Sequence, residues 1–196
     1  MIQSERDLLF SRTSKYLSIG ITEDGERRMS ISVPWEDTCS AFNMNLPNVY
    51  LTEKDFEDEE IADRLKNFDI CGCYIFTPLK DYSFLAQFTD IWNMYIEYGG
   101  VIRDLSFMRH MDWWMLYLED ARLENLKALF SEDRGNGICH RCLGLYHCQV
   151  KDISAVVERG LYMAELLIWP EKYEPEEKAR WKKVRSGKFR YYKPKE

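Results

Sequence analysis

A seven-residue pattern returns four times along this chain: LKDYSFL at 79–85, IRDLSFM at 102–108, LENLKAL at 123–129 and VKDISAV at 150–156. Each copy reads apolar, charged, Asp or Asn, apolar, Ser or Lys, Phe or Ala, apolar. A second pattern, apolar-x-x-apolar-x-apolar, keeps step with it. It starts at Leu46, Ile70, Ile91, Trp113, His140 and Met163, with spacings of 24, 21, 22, 27 and 23 residues. A period of this length restricts the fold more than any other feature, because a unit so short cannot bury its own apolar face and must stack on its neighbours.

Within each unit the x-apolar-x-apolar segment alternates with period two, which predicts a strand with its apolar residues turned inward. Cys73 and Ile75, Met94 and Ile96, Leu116 and Leu118 are such pairs. The seven-residue pattern predicts the return path as a short helix, with Leu79, Tyr82 and Leu85 on one face. Asp81, Asp104, Asn125 and Asp152 stand where a side chain can cap free backbone N–H groups. Ahead of the units, Leu17, Ile19 and Ile21 and then Met29, Ile31 and Val33 alternate around Asp24-Gly25, which predicts a β-hairpin. The predicted organisation is a hairpin cap over 1–45, six units over 46–170, and a charged, basic cap or tail over 171–196.

The period and the apolar pattern resemble the leucine-rich repeat family, and the return half, as in VIRDLSFMRHM, is most similar to the short repeats of internalin-type bacterial proteins. The chain departs from that family at its Asn/Cys ladder position, which holds Lys54, Pro78, Gly99, Ala121, Cys148 and Glu171, so only Cys148 conforms. The resemblance implies an α/β solenoid, with a parallel sheet on the concave side, short helices on the convex side and the hairpin capping its first edge. It also implies a non-enzymatic module for protein–protein interaction that works through the concave face.

In-register stacking would array the outward positions in columns. One column carries Tyr50, Tyr74, Tyr95 and Tyr117; the next carries Phe76, Glu97, Glu119, Tyr146 and Trp169; Asn93 lies on the other side of the tyrosines. These ten residues are the candidate partner-binding set, since tyrosine offers wide contact area with little rotamer entropy. The competing reading is that the rings only stack on one another, as good strand residues do.

Charge bears on the partner. Residues 178–196 hold nine Lys or Arg against one Glu, a local +8 that leaves −14 on the rest of a chain whose net charge is −6. An acidic body favours a basic protein or peptide and repels nucleic acid. The basic tail, with Trp181, Phe189, Tyr191 and Tyr192, keeps nucleic-acid binding as an alternative. No signal peptide or membrane span is evident, so a cytoplasmic protein with reduced cysteines is expected, and small size with an acidic body fits an immunity- or antitoxin-like role.

Catalysis is disfavoured. Cys139, His140, Cys142, His147 and Cys148 fall within ten residues and could hold zinc, yet strand alternation would scatter their side chains. The acidic run EKDFEDEEIAD at 53–63 reads as a solvated face, and neither a glycine-rich phosphate loop nor HExxH occurs. No cofactor is expected.

Overall fold

The computed structural model describes residues 1–11, 16–23, 48–130, 142–155, 165–168, 179 and 189–191. Eleven strands among them form two separate parallel sheets. The larger has eight: β1 (Tyr16–Thr22), β2 (Asn48–Thr52), β3 (Asp69–Ile75), β4 (Asn93–Ile96), β6 (Met115–Glu119), β8 (Cys142–Tyr146), β10 (Glu165–Ile168) and β11 (Phe189–Tyr191), in the order β11-β10-β8-β6-β4-β3-β1-β2. The smaller has three, β5 (Gly100–Ile102), β7 (Ala121–Asn125) and β9 (Gln149–Asp152), side by side in that order. Two α-helices accompany them among the described residues, α1 (Gln3–Ser11) and α2 (Glu59–Leu65).

The core lies between the two sheets. Ile19, Val49, Cys73, Ile75, Met94, Ile96, Leu116, Leu118, Leu143 and Leu145 come from the larger sheet, and Ile102, Leu123 and Val150 come from the smaller. Full burial of an aliphatic side chain of this size contributes roughly 1.5–3 kcal/mol. Their alignment is the one the spacing predicts: Cys73, Met94, Leu116 and Leu143 are successive partners across four strands, as are Ile75, Ile96, Leu118 and Leu145.

This architecture overturns the resemblance to the leucine-rich repeat family. The chain does not form one continuous curved sheet backed by helices, so neither the solenoid nor the concave and convex surfaces of that family apply. The physical reason is legible in the return segments. Only three to five residues of each segment are helical, at Ser83–Gln87, Ser106–Met108 and Lys127–Phe130, and runs this short form 3-10 turns instead of α-helices. The start of LENLKAL belongs to β7, and the start of VKDISAV to β9, where Arg122 and Glu124 point out while Leu123 points in.

The capping residues do act on backbone. Asp81 accepts from the N–H of Ser83 at 2.8 Å, Asp104 from Ser106 at 2.7 Å, Asn125 from Lys127 at 3.0 Å and Asp152 from Ser154 at 2.8 Å. All four are the same i to i+2 Asx turn.

The hairpin cap is also overturned. β1 lies inside the sheet, parallel to β2 on one edge and to β3 on the other, so both of its hydrogen-bonding edges are taken. Met29, Ile31 and Val33 lie outside the described residues. On β3 the register slips between Leu17 and Ser18, leaving Cys71 as the extra residue of a bulge. α1 packs at this end with Leu9 buried; the Nε–H of Arg64 donates to the Leu9 carbonyl at 3.0 Å, and Arg6 pairs with Asp58 and Glu60.

Candidate functional site

The outward face of the larger sheet is built by β1, β2, β3, β4, β6 and β8. Register runs Tyr50–Gly20–Tyr74–Tyr95–Tyr117–Gly144, so the tyrosines do form one row, with β1 inserting a glycine into it. Tyr74 and Tyr95 stack at 5.2 Å between ring centroids and 14°, and Tyr95 and Tyr117 follow at 5.6 Å and 37°.

Glycine sets how these rings lie. A Cβ on Gly144 would come within 2.8 Å of Tyr117 Cδ2, one on Gly20 within 2.8 Å of Tyr50 Cδ1, and one on Gly72 within 2.9 Å of Tyr74 Cε2. Each ring therefore rests against bare backbone, on its own strand or the next. Over the length paired with β2, β1 contributes Ser18, Gly20 and Thr22 to this face, and that small-residue alternation in YLSIGIT makes room for its neighbours' rings. Ser18 is hydrogen-bonded to the Tyr74 phenol, whose ionisation is pushed up by burial and only partly offset by that bond.

The remaining candidate residues flank the row. Phe76 is 3% exposed and lies parallel to Tyr74 at 6.3 Å, so it braces the rings from the side. Asn93 stands in register between Gly72 and Met115, with its Oδ1 buried and without a hydrogen-bond partner. Met115 and Cys142, buried on this same face, form a small apolar cluster with Tyr95, Tyr117 and Tyr146, and the Tyr95 hydroxyl donates to Met115 Sδ at 3.1 Å. Trp169 lies outside the described residues.

The acidic end is Glu97 and Glu119, one residue beyond the last inward position of β4 and β6. The Glu97 N–H continues the ladder to the Ile75 carbonyl at 2.8 Å, and the Glu119 carbonyl accepts from the Gly99 N–H at 3.0 Å. Burial pushes the Glu119 carboxyl up, and the neighbouring Glu97 and Asp120 push it further. Burial and the charge of Glu119 hold the Tyr117 phenol far above its ordinary value, so it is neutral throughout the physiological range.

Sequence reading missed the corners beside these acids. Tyr98, Asp120 and His147 have φ near +50°, a left-handed conformation uncommon for side-chain-bearing residues. Each is followed by a buried small residue, Gly99, Ala121 or Cys148. At these three of the six ladder positions, the small residue sits beneath a tight corner. Cys148 still bonds backbone, donating its thiol to the Leu118 carbonyl at 3.2 Å, and burial pushes that thiol up to about 12. His147 Nδ1 sits 3.4 Å from Asp120 Oδ1.

Of the sequence-level zinc candidates, Cys139 and His140 lie outside the described residues, while Cys142 faces outward and Cys148 inward. Among the described residues no group of three or more His, Cys, Asp or Glu side chains is placed to hold a metal ion, and no helix is long and apolar enough to cross a membrane. Part of the basic tail, Phe189–Tyr191, is the edge strand β11, with Arg190 in register with Leu167.

Comparison with protein-family models, with curated proteins and with solved structures returns no match.

Proposed function

We propose that this protein is a non-enzymatic binding module that takes a basic protein or peptide on the outward face of its larger sheet. The observation that carries the reading is the stacked row Tyr74–Tyr95–Tyr117 ending at Glu97 and Glu119. Rings held flat by glycines offer pre-set contact area, and tyrosine loses little entropy when covered. The acids beside them belong to a body of net −14, which draws cationic partners and repels nucleic acid. The buried thiols of Cys71, Cys73 and Cys148, none of them in a disulfide, suit a reducing compartment, and we place the protein in the cytoplasm.

The test uses the full chain, with Tyr95→Ala and Tyr117→Ala as the variants and Val101→Ser on the smaller sheet as the control. The binding partner is first identified with the unmodified protein and then titrated. A partner rich in Lys and Arg, bound at least about tenfold more weakly by the tyrosine variants and equally well by the control, is the expected result. Equal binding by all forms would sink the reading.

A further inference from the structure

We infer that the gap between the first residues of β3 and the segment leading into β4 is a binding site for a free α-amino acid, held by both of its charges. The site lies at the opposite end of the strands from Glu97 and Glu119 and is independent of the binding face.

The gap exists because the two segments are tied to different neighbours. Asp69 and Ile70 pair with Tyr16 and Leu17 of β1, just ahead of the bulge at Cys71, whereas β3 meets β4 only from Gly72 and Asn93 onward. The segment before β4 is held from its other side: the Thr89 carbonyl accepts from the Asp112 N–H at 2.5 Å, and the Trp92 carbonyl from the Trp114 N–H at 2.8 Å. Between them lies a cavity of about 280 Å³, whose floor is formed by the buried side chains of Leu65, Phe68, Ile70, Phe88 and Ile91. That volume is just under the range of about 300–1,000 Å³ typical of drug-sized ligands, so its occupant is small.

Charges of both signs stand at the rim. Asp69 and Asp90 each lie three residues ahead of the Gly72–Asn93 pair, one on each wall, and Lys66 comes from the end of α2. Among the described residues the Asp69 carboxylate has no hydrogen-bond or ion-pair partner, and Asp90 accepts only from the hydroxyl of its neighbour Thr89, at 3.1 Å. Lys66 has a single loose pair, 3.7 Å from the exposed Asp63. A pair of that kind contributes little, so the Lys66 ammonium can turn to a ligand. An ammonium between two carboxylates, and a carboxylate on an ammonium, form charge-assisted hydrogen bonds about twice as strong as neutral ones. An α-amino acid carries both groups on one carbon and points its side chain at the apolar floor. A simple cation would be repelled by Lys66 and a simple anion by the two acids; a zwitterion satisfies all three.

Glycine, L-leucine and L-phenylalanine are titrated calorimetrically against the full chain, together with the N-acetyl and amide forms of whichever binds tightest. At least one should bind with a dissociation constant below about 1 mM, and blocking either its ammonium or its carboxylate should weaken it by about tenfold or more. Asp69→Asn/Asp90→Asn should weaken binding by about tenfold or more and Lys66→Gln by roughly half as many powers of ten, while Glu57→Gln/Glu124→Gln, which removes the same charge from other exposed positions, leaves it within about twofold. Circular dichroism and urea unfolding confirm that each variant is folded. Failure of all three amino acids to bind overturns the site. So does binding that survives the blocking groups or that the Asp69/Asp90 and Lys66 variants leave unchanged.

Discussion

Gly20 shows how much of this face depends on a missing side chain. It sits at the centre of β1, flanked by the Tyr50 ring and by Phe76 Cε2, which a Cβ would approach to 3.1 Å. Gly20→Ala should therefore lower stability by about 1–3 kcal/mol, since the rings must move within a packed layer. Urea unfolding measures this, and the near-ultraviolet circular dichroism of the tyrosines should change with it. An unperturbed spectrum and midpoint would mean that the rings do not rest where they are described. The row of tyrosines was legible in the sequence because spacing alone aligns Tyr74, Tyr95 and Tyr117. The glycine inserted between Tyr50 and Tyr74 was not, because no local pattern says that a strand ending 26 residues before Asn48 slips between β2 and β3.

The return segments carry their own test. Asp81, Asp104 and Asp152 are held below the ordinary aspartate range, the first two mainly by the hydroxyl of the serine two residues on and Asp152 mainly by that serine's N–H. A carboxyl depressed in the folded state contributes its full stabilisation above the unfolded value, near ~3.9, and loses it as pH falls through the lower folded value. The unfolding midpoint should thus drop below about pH 4. Asp81→Asn/Asp104→Asn/Asp152→Asn keeps an acceptor for each turn, as Asn125 already does, but takes up no proton. Its midpoint should fall less steeply over that range, and an identical slope would exclude these carboxylates as its source. The caps could be read from the sequence because an Asx turn is local. The choice between α-helix and 3-10 turn with strand was not legible because Leu79, Tyr82 and Leu85 fit one face of either helix, and in the structure only Leu85 of the three lies in the 3-10 turn.

At the scale of the whole molecule, β1 holds the sheet together. It has five residues in register with β2 and six with β3, and Ile19 and Ile21 on it are fully buried. Ile19→Ala or Ile21→Ala should each cost about 2–5 kcal/mol in urea unfolding. Removing residues 1–22 should leave a protein without cooperative unfolding, because β2 and β3 lose their shared neighbour. Ending the chain at 188 instead removes three registered pairs at an edge, Phe189–Tyr191 on β10, and should only lower the midpoint. Comparable damage from both truncations would contradict the central place of β1. What the sequence by itself determined is the register: a period of 21–27 residues and strict two-residue alternation leave one alignment that buries Cys73, Met94, Leu116 and Leu143 together and turns the tyrosines the other way. Only the tertiary structure decided the rest: the insertion of β1, the second sheet in place of helices, and the left-handed corners at Tyr98, Asp120 and His147. Each of these depends on contacts between residues distant in the chain, where the local preferences of several conformations are nearly equal and packing makes the choice.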